Sequence, residues 1–487
     1  MTDDVSTGNN AASRPNHTGP EPEATVPAPV DRVSLPQWRY APDAWRWVRR
    51  LDHRSARSFL RVRSARALPQ SMRTRFLVMG IPEDTLIATL SAIGSPEQWA
   101  NAWIETAQRY LGDYRRQVSS RNPLEAAQAR RLSALCYHAA QTFVVDDERT
   151  VRMCRAAAAT LFSQAQPLVY PHVRRVMVPW RSSTLPGYFL VPGGQGGQTR
   201  AAGLVVILNG TSTSKEETFA WAPGFLRAGL AVLVMDSPGT GEATGLRVVP
   251  SDANDIIDGV FELFAGEPTI DLAQVSVVGV SLGGNQALRC AVYDRRILSV
   301  TAVTPPYDPA RWLHRASPLL HTELDLVFGD DDRDPYEQAA DLSLHDDAVR
   351  ARCPVLVFGG GRDLVVPPAE SQLLAARLGA LGTLAWYPNG GHCLYGHLRG
   401  WTSDAATWIA SVGAARAIEL QMNGHADPVV IAGMAREQLV DTDALEEDIF
   451  GDENDSAARP LDPDREDLDD LGASARIVAP ASRNRST

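Results

Sequence analysis

Six short apolar runs that alternate with helical stretches constrain the fold of this chain more than any other feature. They are rich in β-branched residues and read, in chain order, GLVVILNG, LAVLVMDSPGTG, VSVVGVSLGG, ILSVTAV, CPVLVFGGG and GTLAWYP. Runs of this kind are typical of parallel strands that are buried on both faces. Before them, HVRRVMVPW and LPGYFLVP alternate in polarity on either side of a turn, which predicts an antiparallel strand pair. We therefore expect an α/β fold with a mostly parallel sheet of about eight strands.

A long helical region precedes these strands. Apolar residues recur at three- and four-residue spacing in PEQWANAWIETAQRYLGDYRRQV, LEAAQARRLSALCYHAAQTFV and TVRMCRAAAATLFSQA. No strand pattern interrupts residues 36–168, which predicts an all-helical cap subdomain followed by a core over residues 169–412. We expect the cap to cover the active site. The alternative is a separate helical domain tethered at a distance.

The two ends of the chain differ in composition from its body. Residues 1–35 are rich in Pro, Asn, Thr and acids, so we predict a disordered tail there. Residues 413–440 are predicted to form a helical extension of one or two helices, and residues 441–487 an acidic disordered tail. Between Asp441 and Asp470 there are 14 acids and two arginines, a balance of −12 within a total net charge of −11. The rest of the chain is therefore close to neutral.

Composition also excludes several classes of protein. The chain has no apolar run of about 18 residues and no basic stripe, so we expect neither a membrane nor a nucleic-acid partner. Its N-terminal residues lack the apolar segment of a signal peptide. Its five cysteines are scattered and never form a CxxC pair. We therefore expect a cytoplasmic protein without disulfides, metal ions or other cofactors.

The motif GVSLGG at residues 279–284 is the strongest chemical signal in the sequence. It directly follows the apolar run VSVV and directly precedes the helical stretch NQALRCAVYD. A serine between glycines on a tight strand-to-helix turn is a nucleophile elbow, which lifts the hydroxyl out of the sheet. Ser281 is therefore the predicted catalytic nucleophile.

A serine needs a base and an orienting acid, and both are predicted from loops that follow later strands. His392 follows the last apolar run in the sequence NGGHC, and its rival is His397 four residues on. Asp363 follows the penultimate run in GGGRDLVVPP, and its rival is Asp308 after the preceding strand. We predict Ser281, Asp363 and His392 as the catalytic residues, in the chain order of the α/β hydrolases.

An oxyanion hole needs two fixed N–H groups. Leu282, the residue after the nucleophile, is one predicted donor, and Thr211 in the loop LNGTSTSKEE after the first parallel strand is the other. Gly210 allows the turn, and Ser212 is a neighbour that could support the pocket. Lys215, the single lysine of the chain, either supports this loop or forms a surface salt bridge, for example with Glu217.

These segments together resemble a family of α/β hydrolases with an N-terminal helical cap. The resemblance rests on VMVPWRSSTLPGYFLVP, ILNGTSTSKEE, MDSPGTGE, GVSLGG, GGGRDLVVPP and NGGHC, and it covers roughly residues 90 to 412. The group includes 2,6-dihydropseudooxynicotine hydrolase, fermentation–respiration switch esterase-like proteins and fungal polyketide-shortening pigment hydrolases. The resemblance implies a cap over the triad, an enclosed pocket, frequent homodimers, and small substrates that are esters or 1,3-dicarbonyl or polyketide-like compounds cleaved at a C–C bond.

The chain departs from this pattern in one place. The resemblance implies an additional acid in the loop after the first parallel strand of the C–C-cleaving branch, whereas here the positions are hydroxyls: Thr211, Ser212, Thr213 and Ser214. Ester and thioester chemistry therefore stay open beside C–C hydrolysis.

The leading functional hypothesis is a serine hydrolase. A second hypothesis keeps the triad and changes the acceptor, which gives an acyltransferase, cyclase or lyase of secondary metabolism. A third is a hydrolase-fold interaction protein without catalysis.

Overall fold

The computed structural model describes residues 70–94, 96–144, 147–193, 201–247, 250–313, 318–328, 333, 335–441 and 476–478. The tail predicted at residues 1–35, the first part of the predicted cap and most of the acidic tail lie outside these ranges.

Helices fill the described chain before the sheet, as the sequence predicts. They are α1 (Gln70–Val78), α2 (Glu83–Ala92), α3 (Trp99–Ser119), α4 (Pro123–Gln141) and α5 (Glu148–Val169). Each apolar residue that α3 buries lies three or four positions from another, which places them on one face: Trp99, Ala100, Trp103, Ile104, Ala107 and Leu111. α4 begins with a proline at its first position, and the Asp147 carboxylate caps α5 by accepting from the Thr150 N–H at 3.0 Å. Local sequence signals thus set both the faces and the ends of these helices.

The sheet contains the eight strands that the sequence predicts. They are β1 (Arg174–Trp180), β2 (Ser183–Leu190), β3 (Leu204–Leu208), β4 (Ala231–Met235), β5 (Val275–Val280), β6 (Ile297–Val303), β7 (Val355–Gly360) and β8 (Gly382–Tyr387). β1 and β2 pair antiparallel, and the six strands from β3 to β8 are mutually parallel. The predicted α/β fold is confirmed, and these parallel strands are almost wholly buried, because helices cover both faces.

Helices of 4 to 26 residues connect the strands and continue beyond the last of them. They are α6 (Lys215–Thr218), α7 (Ala222–Arg227), α8 (Asp258–Leu263), α9 (Leu282–Tyr293), α10 (Pro318–Val327), α11 (Pro335–Ala340), α12 (His345–Arg350), α13 (Ala369–Leu378), α14 (Leu398–Asn423) and α15 (Pro428–Asp441). Among the residues described, no helix is both long and apolar enough to span a membrane. All five cysteines are buried free thiols, as their spacing predicts.

The structure differs from the predicted domain division in two places. The boundary between core and extension at residues 412 and 413 falls inside α14, which continues to Asn423 and ends at Gly424 in the left-handed conformation. A short strand, β9 (Arg476–Val478), lies within the segment predicted as a disordered tail and pairs antiparallel with β8. The many acids of that segment predict disorder. Two of the three residues of β9 are β-branched, and the strand pairs with backbone groups of β8 that would otherwise lie at the edge of the sheet.

The order of the strands determines where a ligand site can form. The order is β1-β2-β4-β3-β5-β6-β7-β8-β9, so the chain moves outward from β3 to β4 and then returns to β5 on the other side of β3. Such a reversal opens a crevice at the carboxyl ends of the strands, where α/β proteins bind ligands. The loops that follow β3 and β5 lie at this switch point.

Candidate active site

Ser281 occupies a strained turn between β5 and α9. Its backbone has φ 54° and ψ −124°, a left-handed conformation that is uncommon for a residue with a side chain. A Cβ on Gly279 would lie 2.0 Å from the carbonyl oxygen of Gly283, and one on Gly283 would lie 2.3 Å from the carbonyl oxygen of Leu208. Only glycine fits at either position, so the motif gives the tight turn of a nucleophile elbow.

His392 and Asp363 meet across neighbouring loops after β7 and β8. His392 Nδ1 lies 2.8 Å from Asp363 Oδ2. The other carboxylate oxygen, Oδ1, accepts from the backbone N–H groups of Val365 at 2.8 Å and Val366 at 3.0 Å. These bonds hold the carboxylate in one orientation, and the contact at Nδ1 leaves the Nε2 atom of the imidazole available for proton transfer.

The rival residues have other partners. The backbone N–H of Asp308 donates to Glu370 Oε2 at 2.7 Å. The ring of His397 lies 4.9 Å from that of Tyr387, and burial lowers the pKa of His397. None of these contacts involves the Asp363–His392 pair.

The electrostatic environment of His392 predicts a pH dependence. Burial opposes the charged imidazolium, but the Asp363 carboxylate outweighs burial and raises the pKa of His392 well above its ordinary value. Because a general base must be unprotonated, we expect kcat/KM to increase with pH through an apparent pKa above about 6.5. A pH–rate profile on an activated ester, from about pH 5 to about pH 10, measures this limb.

The Asp363→Asn variant tests the cause of that shift. Removing the carboxylate leaves burial as the main influence, so the pKa of His392 is expected to fall. An NMR titration of the His392 ring measures this change even where the variant has little activity. An unchanged titration midpoint would contradict the assigned cause.

The loop after β3 lies directly against the elbow. A Cβ on Gly210 would be 3.3 Å from the Cβ of Ser281. The Thr213 N–H donates to the Gly210 carbonyl at 3.4 Å, which closes a four-residue turn with Thr211 at its first central position. Leu282 is the first residue of α9, where N–H groups have no partner within the helix. Both predicted oxyanion donors therefore belong to segments that adjoin Ser281.

The side chain of Asn209 stabilises this turn through hydrogen bonds to backbone groups. Its side-chain Nδ2 donates to the carbonyls of Thr213 at 2.6 Å and Gly210 at 3.0 Å, while Oδ1 accepts from the Ser237 N–H at 2.8 Å. The Ser212 carbonyl, which points out of the turn, accepts from Gln141 Nε2 at 2.9 Å and Arg75 Nη2 at 3.1 Å. The helical region therefore contacts the loop of the candidate oxyanion hole directly.

Lys215 is not a surface lysine, and of the two alternatives for it the surface salt bridge with Glu217 is wrong. Its side chain is fully buried, with Nζ 2.7 Å from Glu216 Oε1, 2.8 Å from Asp236 Oδ2 and 3.0 Å from Glu242 Oε2. Burial opposes its charge, but these carboxylates outweigh burial and raise the pKa of Lys215 well above its ordinary value. Its salt bridges with Asp236 and Glu242 therefore link the loop after β3 to the loop after β4.

Glu217 instead joins three parts of the molecule in a buried cluster. Arg75 of α1 donates to it through Nε at 3.0 Å and Nη2 at 2.8 Å. His138 Nε2 of α4 lies 2.6 Å from its Oε2, and the Tyr395 hydroxyl donates to its Oε1 at 2.6 Å. Burial alone would raise the pKa of Glu217, but Arg75 and His138 reverse this and lower it to about 2.

An acid also reaches the β3 loop from a distant helix. Glu323 on α10 accepts from Thr211 Oγ1 at 3.3 Å. Burial raises the pKa of Glu323, although Arg75 and Arg155 act in the opposite direction. A carboxyl group that can hold a proton therefore lies beside the loop, in which the sequence offers only hydroxyls.

Thr304, at the end of β6, supports the histidine loop. Its Oγ1 accepts from the Cys393 N–H at 3.1 Å and lies 3.5 Å from His392 Nδ1. Its backbone has φ 44°, a second left-handed residue beside the elbow. Thr304 therefore helps to hold the loop that carries His392.

Sequence reasoning missed several of these residues. Arg75, Gln141 and Glu323 occupy ordinary helical positions, and their partners are between 71 and 142 residues away along the chain. One local signal was present: three consecutive charges, Lys215 to Glu217, directly follow a buried strand and its loop. Charges so close to the core have to be paired when they are buried.

One cavity among the described residues is not lined by any of the three predicted catalytic residues. It has a volume of about 490 Å³ and is lined by the ends of α1, α5 and β2 together with α7. A cavity of about 30 Å³ lies at the switch point, where Asn209, Leu282 and Gly283 line it. Ser281, Asp363 and His392 line neither cavity.

Comparisons with known proteins agree with this architecture. A sequence profile of the family described as alpha/beta hydrolase fold matches residues 203–441. A solved structure titled 2,6-dihydroxy-pseudo-oxynicotine hydrolase superposes with a TM-score of 0.60 at 23% identity, over 73% of this chain and 97% of that one. At this level of identity the superposition shows a shared fold.

Two curated relatives share sequence with the chain. The 2,6-dihydropseudooxynicotine hydrolase of Paenarthrobacter nicotinovorans is 29% identical over 199 residues, which cover 41% of this chain and 53% of that protein. Hydrolase acrC of Aspergillus aculeatus is 31% identical over 238 residues, which cover 44% and 55%. The match spans about half the length of each relative. The chain has the α/β-hydrolase fold, and these relatives are named hydrolases.

Proposed function

We propose that this protein is a serine hydrolase that acts on a small organic carbonyl compound. The observation that carries the proposal is the 2.8 Å contact between His392 Nδ1 and Asp363 Oδ2, on loops that follow two adjacent strands. Together with a strained serine at the switch point of the same sheet, this pair has the parts that activate a hydroxyl nucleophile.

Each residue has a defined role in the proposed reaction. His392 takes the proton of Ser281 as Oγ adds to the carbonyl carbon, and Asp363 stabilises the imidazolium that forms. The N–H groups of Leu282 and Thr211 hold the oxyanion. Collapse breaks the bond to the leaving group, which takes the proton from His392. Water then hydrolyses the acyl-enzyme with His392 again as base.

Glu323 favours C–C hydrolysis as a second activity of the same site. When a bond to carbon breaks, the electron pair leaves with that carbon, which then needs a proton. A half-buried carboxyl group whose pKa is raised can supply one beside the Thr211 loop, and the carboxylate then recovers the proton that His392 took from Ser281. An ester has no such requirement, since its leaving oxygen takes the proton that His392 already holds.

The Glu323→Gln variant separates these two activities. We expect hydrolysis of a 1,3-diketone to fall by about 10²-fold or more, because the amide cannot donate an acidic proton. Hydrolysis of p-nitrophenyl acetate is expected to change by less than about threefold. Glu337→Gln, which alters an exposed acid on α11, is the control. Equal losses on both substrates would contradict the role as a proton donor.

Labelling with a fluorophosphonate probe tests the nucleophile. We expect one adduct, mapped by mass spectrometry to the peptide that contains Ser281. Absence of labelling in folded protein would favour a non-catalytic interaction protein. With a labelled acyl substrate, transfer of the acyl group to an added amine or alcohol in preference to water would favour the acyltransferase alternative.

A further inference from the structure

We infer that Gln141 and Arg75 are positioning residues for the oxyanion loop, so that the N-terminal helices set the geometry of transition-state stabilisation. The inference rests on the proposed function. It goes beyond it because neither residue belongs to the sheet that carries the triad, and neither would touch the substrate's reacting atoms through the contacts described here.

The two side chains converge on one backbone atom. Gln141 Nε2, at the end of α4, and Arg75 Nη2, on α1, donate to the Ser212 carbonyl at 2.9 Å and 3.1 Å. Ser212 directly follows Thr211 and is the second central residue of the turn that runs from Gly210 to Thr213. Two donors on that carbonyl therefore restrict rotation of the turn that presents the Thr211 N–H.

Both donors are themselves held in place. Arg75 is fixed by its two bonds to Glu217. Gln141 Oε1 accepts from Arg155 Nε at 3.2 Å, and Arg155 Nη1 donates in turn to the Gly239 carbonyl at 3.1 Å and Thr244 Oγ1 at 2.6 Å. All three side chains are at most 5% exposed, so water does not compete freely for these bonds.

The expected effect follows from how sharply catalysis depends on donor placement. Removing one oxyanion donor costs about 10²- to 10³-fold in kcat, and a displacement of about 1 Å can cost about 10²-fold. Loss of one of the two donors to Ser212 leaves the other, so we expect a smaller effect, about 10- to 100-fold. Because the oxyanion forms only in the transition state, the loss should appear in kcat and not in KM.

Two variants of Gln141, both of which lose the hydrogen bond to the Ser212 carbonyl, test the inference. Gln141→Leu removes both polar groups, whereas Gln141→Glu keeps an acceptor for Arg155 and replaces the donor to Ser212 with a carboxylate oxygen. Ser133→Ala is the matched control, since Ser133 lies on the same helix, is fully buried and donates to the Ala107 carbonyl at 2.9 Å. Activity is measured on p-nitrophenyl acetate, and transition-state affinity with a trifluoromethyl ketone inhibitor.

Both Gln141 variants are expected to lower kcat by about 10- to 100-fold, with KM within about threefold, and to weaken the inhibitor by a similar factor. Hydrogen–deuterium exchange in the peptide spanning residues 209–214 should accelerate in both, and not in Ser133→Ala. A Gln141→Glu variant with wild-type kcat, or unchanged exchange in that peptide, would overturn the inference. So would losses that appear in KM alone or equally in Ser133→Ala.

Failure of the proposed function has a different signature. If wild-type protein neither hydrolyses the ester nor reacts with the fluorophosphonate, the serine mechanism itself is wrong, and the catalytic role of Gln141 is wrong with it. If wild-type protein reacts and both Gln141 variants react equally fast, only the positioning role is wrong. Arg75→Lys, which keeps a positive charge for Glu217, repeats the test from the second donor.

Discussion

Replacing Ser281 with alanine is expected to lower kcat by about 10⁴-fold or more without changing the fold. A nucleophile has no substitute in the proposed mechanism, and the activity that remains without one comes from binding and the oxyanion hole alone. Alanine retains the Cβ and removes only Oγ, for which the structure gives no hydrogen-bond partner among the described residues. Steady-state kinetics on an activated ester and the circular dichroism spectrum measure the two parts of this prediction.

Ser276→Ala is the matched control for this variant. Ser276 lies on β5, the strand that precedes Ser281, where it is fully buried, and its hydroxyl lies 2.8 Å from that of Ser299. We expect the Ser276→Ala variant to retain most of the wild-type activity. It should also form the fluorophosphonate adduct at Ser281 to the same extent as the wild type. A Ser281→Ala variant with more than about a tenth of wild-type activity would refute the assignment of the nucleophile.

Replacing Glu217 with glutamine is expected to lower the free energy of unfolding by about 3 to 5 kcal/mol. The change leaves the guanidinium of Arg75 buried without its bidentate partner, and it weakens the contacts with His138 and Tyr395. Equilibrium unfolding in urea, followed by tryptophan fluorescence, measures the loss. Glu148→Gln is the control, because Glu148 is 46% exposed in its pairs with Arg152 and Arg247 and should contribute less than about 1 kcal/mol.

The same variant should change how stability depends on pH. The pKa of Glu217 in the folded protein is lowered to about 2, below its value of about 4.3 in an unfolded chain. The stabilisation is therefore complete above the unfolded value and is lost as pH falls toward the folded one. The difference in unfolding free energy between wild type and Glu217→Gln should shrink over this interval. A difference that stays constant would contradict the charged state assigned to Glu217.

The parts of the structure that could be predicted from sequence are those with local signals. Each parallel strand is specified by its own apolar run, and the turn at Ser281 by glycines two residues before and after it, at positions 279 and 283. The helical ends at Pro123 and Asp147 likewise follow from neighbouring residues.

The buried polar contacts could not be predicted because their partners are distant in the chain. Arg75 meets Glu217 across 142 residues, and Thr211 meets Glu323 across 112. Lys215 shows the same difficulty in another form. Its sequence neighbour Glu217 is the obvious partner, but the side chains leave the short helix in different directions and bind different groups. Amino-acid type predicts that such charges need partners, and only the fold determines which ones.

The cluster around Glu217 also has a consequence for how the chain is made. Arg75 leaves the ribosome 142 residues before Glu217 and Tyr395 another 178 after it. At about 5 to 20 residues per second, Arg75 is exposed for roughly 7 to 28 seconds before its carboxylate partner has been synthesised. The first helix therefore lacks its carboxylate partner until β1 to β3 have been made, and Tyr395 follows only after β8. The cluster is complete only when Tyr395 has been synthesised, and a product that stops before His392 lacks both the predicted base and the contact that links the histidine loop, through Glu217, to the first helix.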